Sequence, residues 1–114
     1  MINVLLLRKT LEYARAHPDE VDLSRWAGVT DCGTTACLAG TAAILAGHTI
    51  DWLQADCNGN VSYTTDGRHI EYVARDELGL HRSESDILFY CDSLAQAWEV
   101  AEELTDGEIQ PPPR

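Results

Sequence analysis

A chain of 114 residues with 45% apolar side chains is long enough to bury one core without staples and too apolar to be disordered. Nineteen acidic side chains stand against eight basic ones, for a net charge of -11, which excludes a general phosphate-binding surface and predicts no nucleic-acid partner. No apolar run reaches the roughly 20 residues that span a bilayer, and the Met1–Lys9 stretch has the wrong flanks for an export signal. The expectation is a cytoplasmic protein with reduced thiols and no membrane partner.

Val4, Leu7, Leu11 and Ala14 recur at spacings of three and four, so the first sixteen residues read as an amphipathic helix that leaves Arg8, Glu12 and Arg15 to water. Pro18 ends it, and the stretch to Asp31 reads as irregular, anchored by Leu23 and Trp26. Next comes Cys32-Gly33-Thr34-Thr35-Ala36-Cys37-Leu38-Ala39-Gly40, followed by further small and apolar residues to Gly47. The pattern predicts a central helix over 34–46 with no polar face, N-capped by Thr34 or by Thr35 and enclosed by the rest of the fold. Gly40 in its middle costs about 1 kcal/mol relative to alanine, which implies close packing against a neighbour.

Short β-branched and aromatic runs on either side of Asn58-Gly59 signal a small hairpin at about 50–64. Helical spacing returns with Ile70, Val73, Ala74 and Leu78 on one stripe and Gly79 as terminator. Ser83 with Asp86 reads as a capping box for a short helix, and Ser93 with Gln96 opens a last helix that turns Leu94, Ala97, Trp98, Ala101 and Leu104 inward. The expected fold is thus mainly α, about five helices in a single domain over 1–104, with residues 105–114 as a flexible acidic, proline-rich tail.

Charge is uneven along the chain, with ten acids between residues 75 and 110 against Arg75 and Arg82 alone. Glu99, Glu102 and Glu103 lie on the last helix, where a helix-turn-helix protein would need arginines, so that reading is set aside. An acidic helix of this kind either stays a solvated surface or docks on a basic protein. Together with exposed aromatics around Trp52 and Tyr63, it defines the expected partner surface.

Cys32, Cys37, His48 and Cys57 are all side-chain types that zinc accepts, but four residues separate the first pair and the other two stand alone. The alternative metal module would use Cys32 and Cys37, whereas the simpler reading makes the thiols core filler and expects no cofactor. A further alternative is a small cysteine hydrolase. Asp31-Cys32-Gly33 before a helix, with His69 downstream, resembles papain-like cysteine peptidases, although the chain has too few strands for their sheet.

His17-Pro18, Trp26, Cys32-Gly33-Thr34, Cys37, Ala39-Gly40, and later Leu78-Gly79-Leu80 with Leu88-Phe89 together resemble a group of small uncharacterised proteins of actinobacteria and their bacteriophages. The resemblance implies a setting and no reaction: an accessory protein inside a bacterial host, whose partner would be a host factor. Cys57, Cys91 and the acidic last helix fall outside it. Trp26, Cys32, Gly33, Thr34, Cys37, Ala39 and Gly40 are read as a structural motif, and the function expected is protein binding without catalysis.

Overall fold

The first helix, α1 (Val4–Ala16), buries Leu6, Leu7, Thr10, Leu11 and Ala14, a single face at three- and four-residue spacing. Its start is fixed by Asn3, whose side-chain oxygen accepts the N–H of Leu6 at 3.1 Å. The computed structural model describes residues 2–23, 26–30 and 33–112. Within them the chain forms five α-helices and one three-stranded sheet, the mainly α single domain that the periodicities predict.

The helix expected from Thr34 starts later. Thr34 and Thr35 lie in a strand, β2 (Gly33–Ala36), which pairs antiparallel with β1 (Ala27–Thr30), and helix α2 runs over Leu38–Leu45 with Cys37 as N-cap. A β-branched pair suits either a cap or a strand, and here β1 supplies the ladder that decides it. Leu38 to Ala43 are buried on every side, whereas Ile44 and Leu45 reach the surface. The enclosure expected along the whole rod therefore holds for its first six residues.

Strand β3 (Asn60–Val61) adds to the other edge of β1, giving the order β2-β1-β3 with all neighbours antiparallel. The region from 50 to 64 thus contributes a strand to a longer-range sheet in place of a self-contained hairpin. Within it, a single antiparallel bridge joins Ile50 to Thr64. The Asn58-Gly59 turn is held by Asp56, whose carboxylate accepts the N–H groups of Asn58 and Asn60 at 2.8 and 3.0 Å.

Helix α3 (Ile70–Leu78) buries Ile70, Val73, Ala74 and Leu78 and ends at Gly79, whose φ of 69° is the left-handed cap that glycine adopts without strain. Helix α4 (Arg82–Phe89) is capped two residues before the expected Ser83-Asp86 pair, by His81 as N-cap, because the carboxylate of Glu84 takes the N–H of His81 at 2.8 Å. Helix α5 (Leu94–Leu104) is capped as its sequence predicts: Ser93 Oγ accepts from Gln96 N–H, and Gln96 Oε1 accepts from Asp92 N–H.

The tail expected from residue 105 is tied down as far as Ile109, which is 1% exposed and belongs to the core. Positive φ at Asp106 and Gly107 reverses the chain after α5. Thr105 Oγ1 then accepts the N–H of Ile109 at 3.1 Å, and Arg8 donates to the carbonyl of Glu108 at 2.8 Å. One buried isoleucine side chain, worth about 2 kcal/mol, offsets the entropy of ordering a short turn. No described helix is long and apolar enough to cross a membrane.

Candidate functional site

Trp26 joins the sheet to the central helix. Its carbonyl oxygen accepts the N–H of Cys37 at 3.3 Å and the thiol of the same residue at 3.6 Å. Ala39 and Gly40 are fully enclosed immediately after that point. Burial pushes the Cys37 thiol up to about 11, outweighing the opposing pull of the Gly40 and Ala39 N–H groups at the start of α2. A thiol held protonated at neutral pH is packing material and a weak donor, the opposite of an activated nucleophile.

The same residues open onto a cavity of about 380 Å³ walled by Leu23, Trp26, Cys37, Phe89, Tyr90 and Asp92, with Cys91 beside them. Two of its walls are set at right angles to the Trp26 ring: Phe89 at 6.3 Å and 89°, Tyr90 at 5.6 Å and 83°. Such edge-to-face pairs are each worth about 1 kcal/mol beyond area burial and fix the ring orientations. Tyr90 is held from behind as well, its hydroxyl donating to Glu71 at 2.7 Å, a bond to a carboxylate that pushes the phenol up to about 12.

From this cavity the rings continue outward. His69 packs edge-on against both Trp26 (5.4 Å) and Tyr63 (5.5 Å), and Tyr72 stands 5.7 Å from it, with the Arg75 guanidinium 4.8 Å from the centre of the Tyr72 ring. His69 Nδ1 accepts the N–H of Glu71 at 3.0 Å, so this ring is the N-cap of α3 and its other nitrogen carries the proton in the neutral form. Tyr63, Tyr72 and Tyr90 remain 49, 49 and 62% exposed.

Of the partner residues expected from the sequence, Tyr63 belongs to this surface. Trp52 lines a separate recess of about 100 Å³ with Tyr13, Thr35, Ile44 and Leu45. Glu99 and Glu103 are exposed and Glu102 is half-buried on α5. Sequence reading missed Tyr72, Tyr90 and the ring role of His69, because nothing in local spacing shows that α3, the end of α4 and the Trp26 segment ahead of β1 meet.

The candidate zinc ligands that the structure describes are not gathered: Cys37 is buried under Trp26, His48 Nε2 bonds Glu77 at 3.1 Å, and Cys57 is exposed. Among the described residues no three histidines, cysteines or carboxylates come together in a metal-holding group. Cys32, shared by the metal and hydrolase alternatives, lies outside the described residues. The arrangement offers fixed rings and a cavity with Asp92 on its wall, features that binding sites share. No family model, curated protein or solved structure matches this chain.

Proposed function

We propose that this chain is a binding protein that docks a basic protein partner on the face built from Trp26, Tyr63, His69, Tyr72 and Tyr90, and that it carries out no reaction of its own. The observation that carries this reading is the ring cluster. Its three tyrosines stay half exposed yet are held by ring contacts and a hydrogen bond, so they present rigid, amphipathic area at little further entropic cost on binding. A net charge of -11 favours a basic partner and accelerates its approach, and Glu99, Glu102 and Glu103 add to that field from α5.

The resemblance to small actinobacterial and phage proteins adds a setting, in which the partner is a host factor in the bacterial cytoplasm. The test is affinity capture from an actinobacterial lysate with the whole protein and with the Tyr63→Ala, Tyr72→Ala double variant. Loss of one captured basic protein at unchanged melting temperature supports the reading. Capture that persists in the double variant overturns it.

A further inference from the structure

We propose that His69 is an acid-sensitive latch on the ring face: a proton taken up at its Nδ1 ends the cap of α3 and frees the rings packed against it. The switch stands on the geometry of His69 alone and rests on the binding reading only where it concerns release of a partner.

The first turn of α3 shows why one nitrogen matters. Of its leading N–H groups, that of Ile70 donates to the Ser62 carbonyl at 2.9 Å, and those of Tyr72 and Val73 donate to the His69 carbonyl at 3.1 Å. The N–H of Glu71 goes to the imidazole, where Nδ1 accepts it at 3.0 Å. A neutral imidazole has a single acceptor nitrogen, and an imidazolium has none. Proton uptake therefore sets two N–H groups against each other and places a cation at the positive end of a helix dipole.

Small movements cannot relieve this. A half-turn of the ring about its own bond presents the carbon Cδ2 to Glu71, and carbon accepts nothing. Swinging the ring away breaks its edge-on packing on Trp26 at 5.4 Å and 82° and on Tyr63 at 5.5 Å and 79°, together with its contact to Tyr72 at 5.7 Å. His69 joins those three rings, so losing the cap loosens the face. The residue is half-buried, and solvent protons reach it.

The surrounding groups do not hold an imidazolium in place. Those in ring contact with it that can titrate are the phenols of Tyr63 and Tyr72, and Trp26 has no titratable group. The Glu71 carboxylate already accepts the Tyr90 hydroxyl at 2.7 Å, and that of Asp76 is paired with Arg68 at 2.7 Å. Arg68, next to His69 in the chain, and Arg75, over the Tyr72 ring at 4.8 Å, have the sign of an imidazolium. His48 is built the other way: its Nε2 faces the Glu77 carboxylate at 3.1 Å, a contact that a proton strengthens. Acid thus opens the contact at His69 while tightening the one at His48.

The experiment follows the nitrogen-labelled full chain by NMR from about pH 8 to about pH 5.5, within the span where histidine changes charge. An N–H···N bond transmits a coupling between the Glu71 nitrogen and His69 Nδ1, and the ring nitrogen shifts report the charge on His69. The expected result is a coupling that disappears in step with ring protonation, while the Trp26 indole N–H and the Tyr63 ring signals move with it. His69→Asn supplies a cap that does not titrate, so its Glu71 amide and Trp26 indole signals should hold their positions over the same range. A His69 ring that stays neutral down to the acid end, a coupling that survives protonation, or an equal movement of the Glu71 amide in His69→Asn would each overturn the latch. Capture of the basic partner should fall at least about fivefold at the acid end, the factor that one helix cap supplies. A protein whose cap opens in acid but that captures no basic partner keeps this inference and loses the previous one. Capture by a protein whose cap persists in acid does the reverse.

Discussion

The carbonyl oxygen of Trp26 stands in the space that a Cβ on Gly40 would require. The same oxygen accepts two bonds from Cys37, so the chain entering the sheet and the first turn of α2 are fixed against each other at one atom. A side chain at position 40 would also come within 2.9 Å of the Ala36 Cβ. Ala36 belongs to β2, and the Trp26 carbonyl is held by its two bonds to Cys37 just before β1, so neither swings aside freely.

Gly40→Ala should therefore destabilise the protein, against the gain of about 1 kcal/mol that helix propensity alone predicts. Forcing a methyl into this contact has an overpacking cost of about 2–3 kcal/mol, and displacing Trp26 weakens the Cys37 bonds as well. Urea denaturation of the two proteins measures the difference. A more stable Gly40→Ala variant would show that α2 and Trp26 are not in contact.

The need for a small residue at Gly40 was legible in the sequence, although its cause, the backbone carbonyl of Trp26 just ahead of β1, was not. Helix α3 was legible in full, because Ile70, Val73, Ala74 and Leu78 mark its face and Gly79 its end within one local stretch. Thr34 and Thr35 misled because their strand exists only through pairing with β1, and β3 misled for the same reason. The ring surface was the least visible part. Trp26, Tyr63, His69, Tyr72 and Tyr90 come from four separate segments, and only Tyr63 stood out as an exposed aromatic.

Ile109 is the one large apolar residue in an otherwise polar end segment, which is why composition assigned it to a loose tail. Its burial predicts that Ile109→Ala costs about 2–4 kcal/mol, as for other buried isoleucines. Deleting the chain from residue 105 should cost at least as much, since it also removes the partner of Arg8. Thermal unfolding of both variants checks this. A deletion that leaves the midpoint unchanged would return the segment to a loose tail.

Thr64 is fully buried and its hydroxyl donates to the carboxylate of Asp66, which is the leading cause that holds that carboxyl below its ordinary value. Thr64→Val removes the donor, so the Asp66 titration should move upward toward that of a free aspartate. A carbon-detected NMR titration of the side-chain carboxyl reads the change directly. Because the folded value is the lower one, the contribution to stability is present above the unfolded pKa and disappears as pH falls through the folded one. An Asp66 midpoint identical in both proteins would show that the hydroxyl is turned elsewhere.

Cys37 gives the corresponding alkaline prediction. Burial raises its thiol from 9.0 to about 11, so the folded protein holds this proton more tightly than the unfolded chain does. Stability from this difference is complete below about pH 9 and is lost as pH rises toward 11, by up to about 3 kcal/mol for a shift of this size. Raised values at Tyr90 and Tyr13 bend the whole protein the same way, so the informative quantity is the difference between it and Cys37→Ala. That variant should lose stability at pH 7 through its cavity yet show a flatter decline between pH 9 and 11. Alkylation supplies an independent reading: iodoacetamide at pH 8 should modify the exposed Cys57 and leave Cys37 intact. Rapid labelling of Cys37 at that pH, with the protein folded, would mean that its thiolate is accessible and that burial does not hold it protonated.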